Sequence, residues 1–221
     1  MVRKTLIGTA LALFVLTLAS LTLWAQSPRA QTIHVTPSPD VTPADNSDAG
    51  LMTIFSNLGP STTNEYYDVN GYCVTGNNQT ACGTTEQWIA MPFTPLKASH
   101  ATMLQAAIGV LAGTNQFQLS LYNDVSGAPG TSLKTVTVKN APTFGTCCKL
   151  VAANLGSPGI ALTAGTQYWV VFTADDVNAP TFAGAWAFTN FANIGVNAAQ
   201  AGWTESQDLG AEAGAVKGTI P

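Results

Sequence analysis

The sequence is short of charge. Its 221 residues include 8 Lys and Arg, 12 Asp and Glu and 2 His, giving a net charge of −4. So few cations, with none clustered, leave nothing to neutralise a phosphate backbone, and a nucleic-acid partner is excluded from the expectations. Histidine is scarcer still. Nucleophilic catalysis needs a base beside the nucleophile. His34 lies in a polar stretch and His100, in "KASHATM", stands just ahead of a strand pattern. No GxSxG elbow, HExxH pair or Gly-rich phosphate loop occurs. The acids Asp48, Glu65, Asp68, Glu86, Asp124, Asp175, Asp176, Glu205, Asp208 and Glu212 fall in turns or near strand ends, without the arrangement of a paired-carboxylate hydrolase. No catalytic residue is expected. Helical periodicity and internal repeats are also missing beyond the first 25 residues.

What is present begins with "MVRKTLIGTALALFVLTLASLTLWAQ". Arg3 and Lys4 precede an apolar run from Leu6 to Trp24, with Ala25 at a cleavage point. That order predicts a signal peptide over 1–25 and a secreted product, extracellular or periplasmic. The run is also long enough for an uncleaved anchor, because about 20 apolar residues span a bilayer. No twin Arg, lipidation Cys or further transmembrane run follows. Residues 26–49 are rich in Pro, Thr, Ser and Asp and predict a linker. Residues 50–221 then form one domain.

In that domain, short apolar segments alternate with turn residues. "QFQLSLYN" places Phe117, Leu119 and Leu121 on one face. "EQWIAMPF" places Ile89, Met91 and Phe93 together, with Trp88 opposite. "MLQAAIGV" groups Leu104, Ala106, Ile108 and Val110, and "KTVTVKN" pairs Val136 with Val138. "TQYWVVFTA" is apolar on both faces and reads as a central strand holding Trp169. "VNGY", "NDVSGAPG", "GSPG" and "LTAGT" read as turns. About nine or ten strands at this spacing predict an all-β fold, a jelly-roll-like antiparallel β-sandwich of two sheets.

The cysteines are Cys73, Cys82, Cys147 and Cys148. In an oxidising compartment an even count predicts disulfides, and neither "CC" nor Cys73-x8-Cys82 has zinc-ligand spacing. Cys73 and Cys82 flank "GNN" and suit a local staple, leaving a vicinal Cys147–Cys148 bridge; cross-pairing between the two sets is the alternative. Calcium is the metal that these residue types allow, through Asn123, Asp124, Asp175 and Asp176 in "YNDVSG" and "TADDVN". The same residues simply make turns in the competing reading. For a ligand, the candidate platform is Trp88 and Trp203 with Tyr66 and Tyr67, since sugars lie on flat aromatic faces beside amides.

The order "TIFSNLGP", "QWIAMPFTP", "QLSLYNDVSGAPGTSL", "APTFGTCC" and "GIALTAGTQYWVVF", closed by "AVKGT", resembles the secreted bacterial β-sandwich proteins called choice-of-anchor R domains. The resemblance covers about residues 51–218. It implies an exported jelly-roll-like domain of undefined activity and offers no catalytic residues. Family members often carry an anchoring tail; none follows Pro221, so a released or periplasmic form is expected. The functional expectation is a non-catalytic secreted or surface module, possible partners being a glycan or a cell-envelope component. The alternatives are a structural or adhesion protein, and a hydrolase with an unrecognised carboxylate site.

Overall fold

The structure is a computed structural model. It describes residues 31–37, 50–59, 66–83, 86–189, 197–199, 204–206 and 211–221, and only the backbone of 67, 68, 197–199 and 204–206. The expected signal peptide and most of the linker lie outside the described residues.

Among the described residues the fold is all-β, with fifteen strands. They are β1 (Thr32–His34), β2 (Met52–Ser56), β3 (Tyr66–Thr75), β4 (Ile89–Phe93), β5 (Ser99–Ala106), β6 (Ile108–Ala112), β7 (Gln116–Val125) and β8 (Ala128–Lys139). There follow β9 (Val151–Asn154), β10 (Ile160–Leu162), β11 (Tyr168–Ala174), β12 (Ala183–Thr189), β13 (Asn197–Ala199), β14 (Thr204–Ser206) and β15 (Gly214–Thr219). They form three antiparallel sheets. A six-stranded sheet runs β14-β13-β4-β11-β7-β8, a four-stranded one β1-β3-β12-β6, and a five-stranded one β10-β5-β15-β2 with β9 also on β5.

Two sheets were expected, and the difference has a local cause. "MLQAAIGV" is not one continuous strand: it breaks at Ala107, so that β5 and β6 belong to different sheets. The sheets stay joined there. Ala107 N–H donates to Ala213 O at 3.0 Å, Ala213 N–H to Ala187 O at 2.9 Å, and Ala187 N–H to Ala107 O at 2.8 Å. This closed ring makes the four- and five-stranded sheets a single layer facing the six-stranded one.

The core lies between the layers. From the six-stranded sheet it takes Ile89, Met91, Phe93, Phe117, Leu119, Leu121, Val170 and Phe172, the rows that alternation put inside. Opposite stand Tyr72, Leu104, Ile108, Trp186 and Val216. Phe172 meets the rings of Phe117 and Trp186 edge-on, an arrangement that aromatic quadrupoles favour. A second cluster on the far side of the four-stranded sheet contains Tyr66, Phe144, Cys148, Leu150 and Ala187. Both faces of β12 are therefore buried.

β7 and β8 form a hairpin whose two-residue turn is Ser126-Gly127, with φ of 57° and 82°. Positive φ at both positions is what a tight twisted hairpin requires. β8, twelve residues long, lies at the end of its sheet. Lys134 stands opposite core residue Leu121, on the inward row, with its side chain exposed. An inward-pointing charge of this kind discourages further strands from adding to an edge.

Part of the expected linker is structured. Thr32–His34 pairs with β3, and Ile33 and Val35 pack against the second cluster. Three residues of period two were too short to stand out among the prolines. His34 thus belongs to a strand, and its Nδ1 lies 2.8 Å from Asn70 Oδ1. Asn70 itself lies in "VNGY", which was expected as a turn and is carried inside β3.

The disulfides join Cys73 to Cys82 and Cys147 to Cys148, the local pairing; cross-pairing does not occur. The peptide bond between Cys147 and Cys148 is cis. Cys73–Cys82 closes a loop with a sequence separation of 9. From loop-closure entropy, Cys73→Ala with Cys82→Ala is expected to lower unfolding free energy by about 2–3 kcal/mol. Urea denaturation checks this; an unchanged midpoint refutes it.

Candidate functional site

The outer face of the six-stranded sheet can be read off its registers. Trp169 lies opposite Pro92 on β4 and Tyr122 on β7, and Tyr122 lies opposite Ser132 on β8. The next row is Ala90, Val171, Ser120 and Thr135. In the row beyond, Thr173, Gln118 and Thr137 align, and Trp88 is the residue before Ile89, the partner of Phe172. One face therefore carries aromatic rings at Trp88, Trp169 and Tyr122, with amides and hydroxyls at Gln118, Ser120, Thr135 and Thr137.

Ala90, Trp169 and Val171 are buried as a cluster of their own, and Tyr122 packs against it half-buried. Burial pushes the Tyr122 hydroxyl above its usual pKa, and a hydrogen bond with Ser132 partly offsets the effect. Ser120 Oγ and Thr135 Oγ1 are 2.9 Å apart, and Thr135 Oγ1 is also 3.0 Å from Ser132 Oγ. Trp88 is half-buried, and its buried indole N–H has no hydrogen-bond partner among the described residues.

Asp124 anchors one end of this face. Its Oδ1 accepts from Trp169 Nε1 and Gln167 Nε2, each at 2.8 Å, and its Oδ2 accepts from Gly127 N–H at 3.0 Å. Burial works to raise its pKa, but those three donors, Gly127 first, outweigh it and hold the carboxyl below the ordinary range. A depressed carboxyl adds stability above its unfolded pKa of about 3.9, and that stability is lost as pH falls through the lower folded value. Melting temperature is therefore expected to fall as pH drops below about 4. Asp124→Asn should lower the melting temperature at neutral pH and flatten this acid limb. A limb of unchanged steepness would contradict the assignment. Asp175 adds to the same limb. Burial raises its pKa, and Gln116, Asn178 and the charge of Lys139 bring it below the usual range.

The expected calcium ligands do not come together. Asn123 pairs with Tyr168 at one end of β11, while Asp175 follows Ala174 at the other, roughly 20 Å away at about 3.3 Å per residue. Their oxygens are also engaged by protein donors. Asn123 Oδ1 accepts from Thr131 N–H, Asp175 Oδ2 from Gln116 Nε2, and Asp176 Oδ1 from Asn77 N–H. These contacts suit the turn reading. No cluster of three or more His, Cys, Asp or Glu occurs among the described residues.

The expected aromatic platform is only partly assembled. Tyr66 is 5% exposed; its hydroxyl donates to Thr146 O at 3.2 Å and accepts from Lys149 N–H at 3.0 Å. It belongs to the second cluster, with its phenol committed to the segment carrying Cys147 and Cys148. Gln87, beside Trp88, bridges Thr75 at the opposite end of β3; Thr75 and Tyr66 pair with Ala183 and Thr189 of β12, which puts them roughly 20 Å apart at about 3.3 Å per residue. Tyr66 and Trp88 thus form no common platform. Trp203 and the side chain of Tyr67 lie outside the described residues.

The chain matches no protein-family model and no curated protein.

Sequence reasoning missed Tyr122 and the orientation of Trp169. The signal for both was present: Leu119 and Leu121 facing inward put Tyr122 outward. Trp169, expected to be structural in a strand apolar on both faces, is buried, on the face opposite Val170 and Phe172.

Proposed function

We propose that the protein is an exported, non-catalytic β-sandwich module that binds glycan on the outer face of its six-stranded sheet. The observation that carries this reading is the meeting of the half-buried rings of Trp88 and Tyr122 with Gln118, Thr135 and Thr137 on one face, where Trp169 is buried beside Tyr122. Aromatic rings take the apolar faces of sugars, while amides and hydroxyls answer their hydroxyl groups without charge. Export is supported by the order of the N-terminal segment and by both cysteine pairs being disulfides, as an oxidising compartment allows. The resemblance to choice-of-anchor R domains points the same way. Adhesion by strand addition has less support, because the long edge strand β8 carries its inward lysine.

A glycan array with wild type, Trp88→Ala and Tyr122→Ala tests the reading. Wild type is expected to bind a restricted set of glycans, and each variant to lose tenfold or more, about 1.4 kcal/mol. Background signal from folded wild type on every glycan ends the glycan reading. Co-purification with envelope material without sugar dependence would favour a structural role.

A further inference from the structure

A second concave site lies in the other layer. β9 and β10 both pair with β5, β9 at Met103–Ala106 and β10 at Ser99–Ala101. Thr102 falls between these stretches; Leu155 N–H donates to its carbonyl at 2.8 Å, and Gly156, Ser157 and Pro158 form the loop that leads on to β10. Here a groove of about 640 Å³ crosses β5, from Asn154 and Pro158 on one side to Thr219 and Leu51 on the other. A single water accounts for about 30 Å³ of liquid, so the groove has room for far more than solvent bridging. It also falls within the range of small-ligand pockets, about 300–1,000 Å³.

Its chemistry is specific. Asn154 Oδ1 accepts from Gly156 N–H at 2.7 Å, which leaves its Nδ2 donors directed elsewhere. Ser157 and Thr219 add hydroxyls, and Leu51, Met103 and Pro158 add apolar surface. Among the described residues, no ionisable side chain lines the groove. A charged ligand would find no counter-charge there and would pay for desolvation. The geometry points to a binding site for an uncharged polyhydroxylated molecule, a neutral sugar residue, with the exposed side chains of Asn154, Ser157 and Thr219 as its polar contacts. The groove shares no residue with the outer face of the six-stranded sheet, so the two sites stand or fall separately.

The test is amide NMR of the full, disulfide-intact chain titrated with glucose, galactose, N-acetylglucosamine and their short oligomers, with galacturonate as the charged control. At least one neutral sugar is expected to shift the amides of Met103, Gly156, Ser157 and Thr219 saturably, and galacturonate is not. Ser157→Ala removes an exposed hydroxyl of the groove. Asn154→Asp keeps the acceptor and removes the donors. Each is expected to weaken binding at least fivefold with the remaining spectrum unchanged. Trp88→Ala should leave these shifts intact. The site is overturned if no neutral sugar moves those amides, if galacturonate moves them equally, or if neither variant alters the affinity. Loss of the groove signal alongside surviving Trp88-dependent array binding would remove this site and leave the outer face standing.

Discussion

Trp186→Ala is expected to cost about 3–5 kcal/mol, within the range for truncating a fully buried tryptophan. Trp186 is 0% exposed. It pairs with Tyr72 on β3 and Ile108 on β6, and its ring meets Phe172 of the opposite layer at 6.2 Å. Its Nε1 donates to Ala213 O at 2.8 Å, the same carbonyl that accepts from Ala107. Alanine would leave a cavity at the centre of the sandwich and remove one of the two donors to that oxygen. Trp186→Phe keeps a ring, and Ala213 O retains its Ala107 bond, so a smaller loss is expected. Domain stability is typically about 5–15 kcal/mol, so the alanine variant should show a much lower urea midpoint or fail to fold. A loss below about 1 kcal/mol would show that the site collapses around the gap and that the ring is not central to the packing.

Trp169→Ala should have a comparable effect for a different reason, again about 3–5 kcal/mol. Its ring, 1% exposed, lies on the outer face among Ala90, Val171 and Tyr122. Truncation also removes a hydrogen bond from Asp124. Trp169→Phe separates the two contributions. It retains most of the packing and removes the donor, so the Asp124 pKa should move up towards the ordinary carboxylate range. The acid limb should then become shallower, because it spans the interval between the unfolded pKa and the folded one and that interval narrows. Equal stability of Trp169→Ala and wild type would mean that this face is not packed as described. Trp88→Ala provides the contrast, because Trp88 is only half-buried: binding should fall further than stability.

Much of this architecture was legible in the residues. "QFQLSLYN" gave β7 and its inner row, and "EQWIAMPF" did the same for β4, because strict alternation leaves one arrangement that buries the large side chains. "TQYWVVFTA" was correctly central, flanked by β4 and β7. Less legible was anything set by contacts between distant segments. The break at Ala107 depends on backbone partners supplied by Ala187 and Ala213, and no local pattern encodes it. β1 is held by pairing with β3, which a window of three residues in a proline-rich stretch does not reveal. At the candidate site the outward position of Trp88 was readable from "EQWIAMPF". The burial of Tyr66 was not, because it arises from Phe144, Cys148 and Leu150, some eighty residues away.

The alanine ring bears on how far the polypeptide tolerates trimming. Residues near a terminus are usually the most expendable part of a domain. Here Ala213, close to Pro221, supplies one donor and one doubly used acceptor to two other strands. Deleting the final nine residues would strip β5 and β12 of partners together and open both halves of that layer. Residues 213–221 function as a keystone, and fusion tags or linkers should be placed after them, never instead of them.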